Sequence, residues 1–112
     1  MSSRKVGIGR FVPYHELEKA LVASAKEMGW KAKVEDNFRK EYDLQSNREI
    51  KIYEGTDICF RGRLFLAMQI SLLDKEPTDG FFVYEGFPFG YASERKVNEY
   101  LSAVSRNLKS SN

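Results

Sequence analysis

The chain of 112 residues fits a single α+β domain, residues 1–112, long enough to bury about two-thirds of its unfolded surface. With 42% hydrophobic and 30% charged residues, its composition is that of an ordinary globular protein. The 18 basic and 16 acidic side chains are interspersed and leave a net charge of +2, which argues against strong, phosphate-driven binding.

The cysteine and histidine counts limit the chemistry further. Cys59 is the single cysteine, so an intrachain disulfide is excluded, and with one histidine the usual Cys/His zinc cages are excluded too. We predict no cofactor and no metal site. No apolar run approaches the roughly 18 residues that a membrane helix needs, and the amino end lacks signal-peptide character. We therefore expect a cytoplasmic protein that does not contact a membrane.

A strand and a helix are predicted at the amino end. Apolar residues alternate with polar or small ones over 4–11, which predicts a short first strand. Pro13 suits the first turn of a helix, and Gly29 stands where a left-handed C-terminal cap is expected. The apolar stripe of this helix, at spacings of three and four, consists of Tyr14, Leu17, Leu21, Ala25 and Met28.

From Trp30 to Leu72, apolar residues fall mostly on even positions. Of the 22 even positions 15 are apolar, against 4 of the 21 odd positions. This alternation predicts extended strands with one dry face and one wet face, because successive side chains of a strand point to opposite sides. We expect the even positions to face the core.

The alternation does not locate the hairpins between residues 36 and 63, and the strand order there stays open. Facing residues of an antiparallel pair keep the same parity only across a loop with an odd number of residues. We therefore place a three-residue loop at Glu35 to Asn37. Gly55 and Gly62 mark the next turns or bends, although Gly62 could equally kink one long strand. The stretch from Leu64 to Leu73 is predicted to be a strand.

The carboxyl-terminal part predicts a loop, a strand and a helix. Asp74 to Gly80 has the composition of a loop, and Phe81 to Glu85 reads as the last strand. Ser93 is a good N-cap for the second helix, and the polar tail, residues 109–112, is expected to fray. The apolar stripe of this helix consists of Val97, Tyr100, Leu101, Val104 and Leu108.

Two amphipathic helices and a meander of strands that each have one apolar and one polar face predict a two-layer α+β sandwich. In this fold an antiparallel β-sheet carries the N-terminal and C-terminal helices on one face, the even-numbered one. The other face is then open to solvent or to a partner.

The segment from Gly80 to Tyr91 suggests what that open face does. It holds 6 of the chain's 15 aromatic residues, and its strand is apolar on both sides. A closing loop, a partner or a ligand must cover the second side. We interpret the protein as a small, non-catalytic interaction module that forms a homodimer or binds a protein partner through an aromatic patch. The patch comprises Tyr53, Phe65, Phe82, Tyr84, Phe87 and Phe89.

Two other interpretations stay open. The open face would bind single-stranded nucleic acid if Lys51, Arg61 and Arg63 met phosphates while aromatic rings stacked on bases. Its odd positions from 31 to 71 hold six basic residues against five acidic ones, so its field is nearly neutral. A small-ligand-binding domain or an enzyme is the third interpretation. Its nucleophile would be Cys59, whose thiol pKa the neighbouring Arg61 would lower.

Overall fold

A computed structural model describes residues 2–86 and 90–110, which form five strands and two helices. All neighbouring strands are antiparallel, and their order in the sheet is β1-β5-β4-β3-β2. The predicted antiparallel sheet with two helices is confirmed. Neither described helix is long and apolar enough to cross a membrane. The elements are β1 (Ser2–Val12), α1 (Tyr14–Glu27), β2 (Lys31–Asp43), β3 (Arg48–Arg61), β4 (Leu66–Leu72), β5 (Thr78–Glu85) and α2 (Glu94–Ser110).

Both helices begin where the sequence predicts and α1 also ends there, but α2 continues through Ser110, into the polar tail that the sequence predicts to fray. Gly29 follows α1 in a left-handed conformation (φ +75°), which a residue without a Cβ adopts easily. At the start of α2, the Ser93 hydroxyl accepts a hydrogen bond of 3.2 Å from the backbone N–H of Lys96. The buried Tyr100 of α2 donates its phenol hydrogen to the carbonyl of Leu21 in α1 at 2.8 Å, which ties the helices together.

One face of the sheet carries the core, and we call it the core face. Ile58 and Phe60 of β3 and Met68 and Ile70 of β4, all at even positions, are fully buried there, as predicted, and belong to one cluster with buried residues of both helices. Ile70 pairs with Val83, so β5 contributes its odd positions to this face. The core-face residues of these three strands include Ile58, Phe60, Met68, Ile70, Phe81 and Val83. The opposite face carries Asp57, Cys59, Gln69, Ser71, Phe82 and Tyr84.

The predicted loop at Glu35 to Asn37 is wrong, because β2 runs through it without a break. Asp36 pairs with Thr56, and the turn comes later, at residues 44–47, where Asn47 is left-handed (φ +56°). The polar side chains that resemble a loop find partners on the neighbouring strand instead. Asn37, for example, donates a hydrogen bond to Asp57 at 2.8 Å. Satisfied side chains of this kind are compatible with a strand.

Gly55 does not form a turn either, but lies in a β-bulge. Asn37 pairs with Gly55, whereas the next residue, Phe38, pairs with Tyr53, so Glu54 is an extra residue in β3. In the part of β3 that precedes the bulge, residues 48–53, odd positions therefore share a face with even positions of β2. Gly62, by contrast, does begin a turn, in which its backbone N–H bonds to the carbonyl of Phe65 at 2.8 Å.

The β2–β3 hairpin extends well past the rest of the sheet. β4 pairs with β3 only from Thr56 to Arg61, so the preceding part of β3 has β2 as its only neighbour among the described strands. We call this two-stranded ribbon, residues 37–55, the arm. Its seven residues in β2 span about 24 Å at roughly 3.4 Å per residue. The described part of the molecule measures 51 × 34 × 21 Å, an elongated shape for a chain of this size.

Candidate interaction surface

The arm exposes apolar side chains that the even-numbered pattern predicted to be buried. In β2, Ala32 packs against the core, but Phe38 is 54% exposed and Tyr42 59% exposed. Val34 just before the arm is 38% exposed, and Leu44 in its turn 85%. The prediction fails here because the strand continues beyond the part of the sheet that the core covers.

The side of the arm that continues the core face pairs rings and charges across its two strands. Phe38 lies against Tyr53 in an edge-to-face arrangement, with ring centroids 5.8 Å apart. Beyond this ring pair, Lys40 forms an ion pair of 3.5 Å with Glu49. This ring pair therefore lies at the base of the arm, and the ion pair lies farther toward its tip.

The reverse side of the arm combines a charge network with two isoleucines. Arg39 forms ion pairs with Glu41 at 2.9 Å and with Glu54, the bulge residue, at 3.1 Å. Ile50 and Ile52 are half-buried beside them. Apolar side chains thus occupy both sides of a ribbon that is only two strands wide.

A hydrogen-bonded cluster anchors the arm at its root. The buried Thr56 hydroxyl donates to Asp36 at 2.6 Å, accepts from Tyr14 of α1 at 3.2 Å, and bonds to the Tyr53 hydroxyl. Lys75, from the β4–β5 connection, forms an ion pair with Asp36 at 2.9 Å. Its ammonium also lies 5.5 Å from the Tyr14 ring centroid and 5.3 Å from that of Tyr53. Four separate segments of the chain therefore meet at the root.

The electrostatics of the root follow from these contacts. The hydrogen bond from Thr56, and then that from Lys75, lower the pKa of Asp36 below its ordinary value. The bond to Asp36 in turn raises the pKa of Lys75. Burial raises the pKa of Tyr14, so this phenol stays protonated and keeps donating at neutral pH. The charged Asp36–Lys75 pair and the neutral hydroxyls are thus stable together.

The structure does not bring the predicted aromatic patch together on one surface. Tyr53 lies on the core-face side of the arm, because the bulge reverses its parity. Phe82 and Tyr84 are half-buried on the opposite face, as predicted. Phe65, 43% exposed, lies in the β3–β4 turn against Tyr91, with ring centroids 6.4 Å apart. The remaining two members of the patch, Phe87 and Phe89, lie outside the described residues.

The cations of the nucleic-acid interpretation are also separated. Lys51 lies on the core-face side of the arm, opposite Lys40, whereas Arg61 is at the far end of β3 opposite Lys31. Ten residues of strand separate the two, or about 33 Å. Arg63 is exposed in the turn that follows β3. The structure therefore separates Lys51 from Arg61 and Arg63, which are only two residues apart at the other end of β3.

Cys59 lies in a setting that keeps its thiol protonated. It is half-buried on the opposite face, with its Sγ 3.7 Å from the amide oxygen of Gln69. Burial raises its pKa, Asp57 raises it further, and the lowering by Arg61 is weaker than burial. His15 is exposed in the first turn of α1. The residues that the structure describes include no group of three His, Cys, Asp or Glu side chains placed to hold a metal ion.

The predicted elements do not include the arm, although the sequence carries a signal for it. The even-numbered stripe is interrupted by charged side chains at Asp36, Lys40, Arg48 and Glu54, all within or beside the arm. A strand that buries one face seldom places charged side chains on that face, so these four positions mark where burial ends.

The comparisons with known proteins add no relative to this description. No protein-family model matches the chain, and neither the curated proteins nor the solved structures contain a match. The arm and its root are therefore the features on which a function must be argued.

Proposed function

We propose that this protein is a small interaction module that associates through the arm, with a second copy of itself or with a protein partner. The observation that carries the proposal is the two-stranded ribbon that exposes 54% of Phe38 and 59% of Tyr42. Two strands alone are marginally stable in water, and grouped exposed apolar side chains are typical of contact surfaces. A partner that covers this ribbon would stabilise the two strands and bury their exposed apolar side chains.

The root supports the proposal because it fixes the direction of the arm. Thr56 and Asp36 join the base of the ribbon to Tyr14 of α1, and Lys75 links a fourth segment of the chain to Asp36. A binding element that is already ordered loses less conformational freedom on association than a flexible one. The arm is thus suited to binding as a rigid projection.

We further propose a two-layer sandwich in which both helices cover the core face. Leu17 and Leu21 of α1 and Val97 of α2 share one cluster with Ile58 and the other core-face strand residues, which supports this arrangement. The opposite face would then be uncovered by helices. Its half-buried Phe82 and Tyr84 make that face a second contact surface, which keeps part of the aromatic patch in the proposal.

Sedimentation analysis of arm variants tests the proposal. We expect the wild-type protein to self-associate at micromolar concentrations and to bind an apolar dye, and Phe38→Ser/Tyr42→Ser to lose both properties. The matched control is Leu64→Ser/Leu73→Ser, which removes two side chains that are 91% and 70% exposed but lie outside the arm. This control should behave like the wild type.

Two results would overturn the proposal. One is a wild-type protein that stays monomeric at high micromolar concentration and binds no apolar dye. The other is an arm variant that is folded by circular dichroism yet associates and binds dye as the wild type does.

A further inference from the structure

The outer edge of β2 is a long pairing surface. β2 is the last strand in the sheet order, so along residues 31–43 its second edge adjoins no other described strand. Thirteen residues of strand are about 43 Å long. An unpaired edge of this length is a template for another strand. The sequence of β2 indicates which strand would pair with this edge.

We propose that two copies of the chain pair through this edge, β2 against β2, in antiparallel orientation around a two-fold axis at Asn37. The two five-stranded sheets would then join into one continuous sheet. This inference rests on the proposed function of the arm, and it names the partner and the register.

Symmetry leaves few registers to choose from. A two-fold axis perpendicular to the sheet places one residue opposite its own copy and keeps each face of one sheet continuous with the same face of the other. With the axis at Asn37, residues equally far before and after Asn37 face each other. Residues 38–43 of one copy would lie beside residues 31–36 of the other.

This register places opposite charges together at every charged odd position of β2. Each pair would occur twice in the dimer because of the two-fold symmetry. Opposite charges directly across two strands stabilise their pairing, and like charges destabilise it. The pairs are Lys31 with Asp43, Lys33 with Glu41, and Glu35 with Arg39.

The two neighbouring symmetric registers lack this complementarity. An axis at Asp36 would place that carboxylate against its own copy, and Lys33 against Arg39. An axis at Phe38 would place Glu35 against Glu41. Each alternative thus opposes like charges that the register at Asn37 avoids.

The same register accounts for the exposed apolar side chains of β2. Phe38 would face Asp36 of the second copy, beside its Val34, and Tyr42 would face Ala32, which packs against the core. The arm of each copy would gain a third strand from the sheet of the other. The two-stranded ribbon would no longer stand alone in water.

A charge-exchange experiment tests the register. In a homodimer of Lys33→Glu, the introduced carboxylate would face Glu41 twice, and in a homodimer of Glu41→Lys, the introduced ammonium would face Lys33 twice. We expect each variant alone to raise the dissociation constant of the dimer at least tenfold. In an equimolar mixture, every such pair would join opposite charges, and dimers should form about as tightly as in the wild type. Arg95→Glu, at a side chain 83% exposed on α2, is the matched control and should not change dimerisation.

The outcomes separate this inference from the proposed function. Single variants that dimerise as tightly as the wild type, or a mixture that does not recover dimers, would overturn the register. If Phe38→Ser/Tyr42→Ser abolishes association while both charge variants leave it unchanged, the arm functions in association but the β2 edge does not pair as proposed. A monomeric wild-type protein would overturn both.

Discussion

Phe38 and Tyr53 face each other across the arm, one at an even position and the other at an odd one. Their rings meet edge to face with centroids 5.8 Å apart. If β3 continued in the register of the body of the sheet, Phe38 would face Glu54 instead. The bulge at Glu54 and Gly55 therefore brings the two rings together and also places Tyr53 within reach of Thr56.

Replacing Gly55 by alanine should destabilise the protein by about 1–3 kcal/mol, the usual range for a residue held in an unfavourable backbone conformation. Gly55 has a φ of +114°, and a Cβ there would lie 2.7 Å from the carbonyl oxygen of Leu72. Gly7→Ala is the matched control, because a Cβ on this strand glycine meets nothing within 4 Å. It should change the free energy of unfolding by less than about 0.5 kcal/mol. Urea unfolding measures both, and equal effects would show that the bulge does not require glycine.

The sequence predicts the covered part of the fold better than the projecting part. Ile58, Phe60 and Met68 are buried as expected, since three or more strands and the core surround them. The loop predicted around Asp36 is wrong, because polarity alone does not distinguish a loop from a strand whose side chains bond to neighbours. The glycine at position 55 indicates an unusual backbone conformation, but the sequence does not show whether that conformation belongs to a turn or to a bulge. The arm exists because β4 is shorter than β3 and pairs with only part of it. The sequence of one strand does not show how much of it a neighbouring strand will pair with.

Thr56→Val should destabilise the protein by about 1–3 kcal/mol, because it keeps the shape of a buried side chain but removes the hydroxyl that Asp36, Tyr14 and Tyr53 share. It should also raise the pKa of Asp36 toward its ordinary value of 3.8, since the Thr56 hydrogen bond is the main cause of the lowering. Lys75→Met removes the second cause and should raise the pKa of Asp36 less. Carboxyl titration by nuclear magnetic resonance measures both changes, and a larger effect of Lys75→Met would contradict this account.

We also expect Thr56→Val to change the stability of the protein in acid. A carboxyl group whose pKa is lower in the folded than in the unfolded state stabilises the fold above its unfolded pKa, and this contribution is lost as the pH falls through the folded pKa. Wild-type protein should therefore lose stability below about pH 4, and Thr56→Val should lose less over the same interval. Asp43, whose pKa the Ser46 hydroxyl also lowers, is unchanged in both proteins, so their difference isolates Asp36. Urea unfolding between pH 2 and pH 7 measures this difference, and parallel curves would contradict the role of Thr56.

Tyr100→Phe should destabilise the protein by about 1 kcal/mol, because it removes the hydrogen bond between the two helices and leaves the Leu21 carbonyl with one partner fewer. Burial raises the pKa of Tyr100 far above its ordinary value of 10.0. The phenol would then ionise in the unfolded chain first, so the wild type should lose stability as the pH rises above about 10. Tyr100→Phe should lose less over that range, whereas Tyr42→Phe, at a tyrosine 59% exposed, should follow the wild type. Alkaline unfolding, followed by circular dichroism and phenolate absorbance, measures the three proteins. If Tyr100 ionised while the protein was still folded, its phenol would not be the buried connection between α1 and α2.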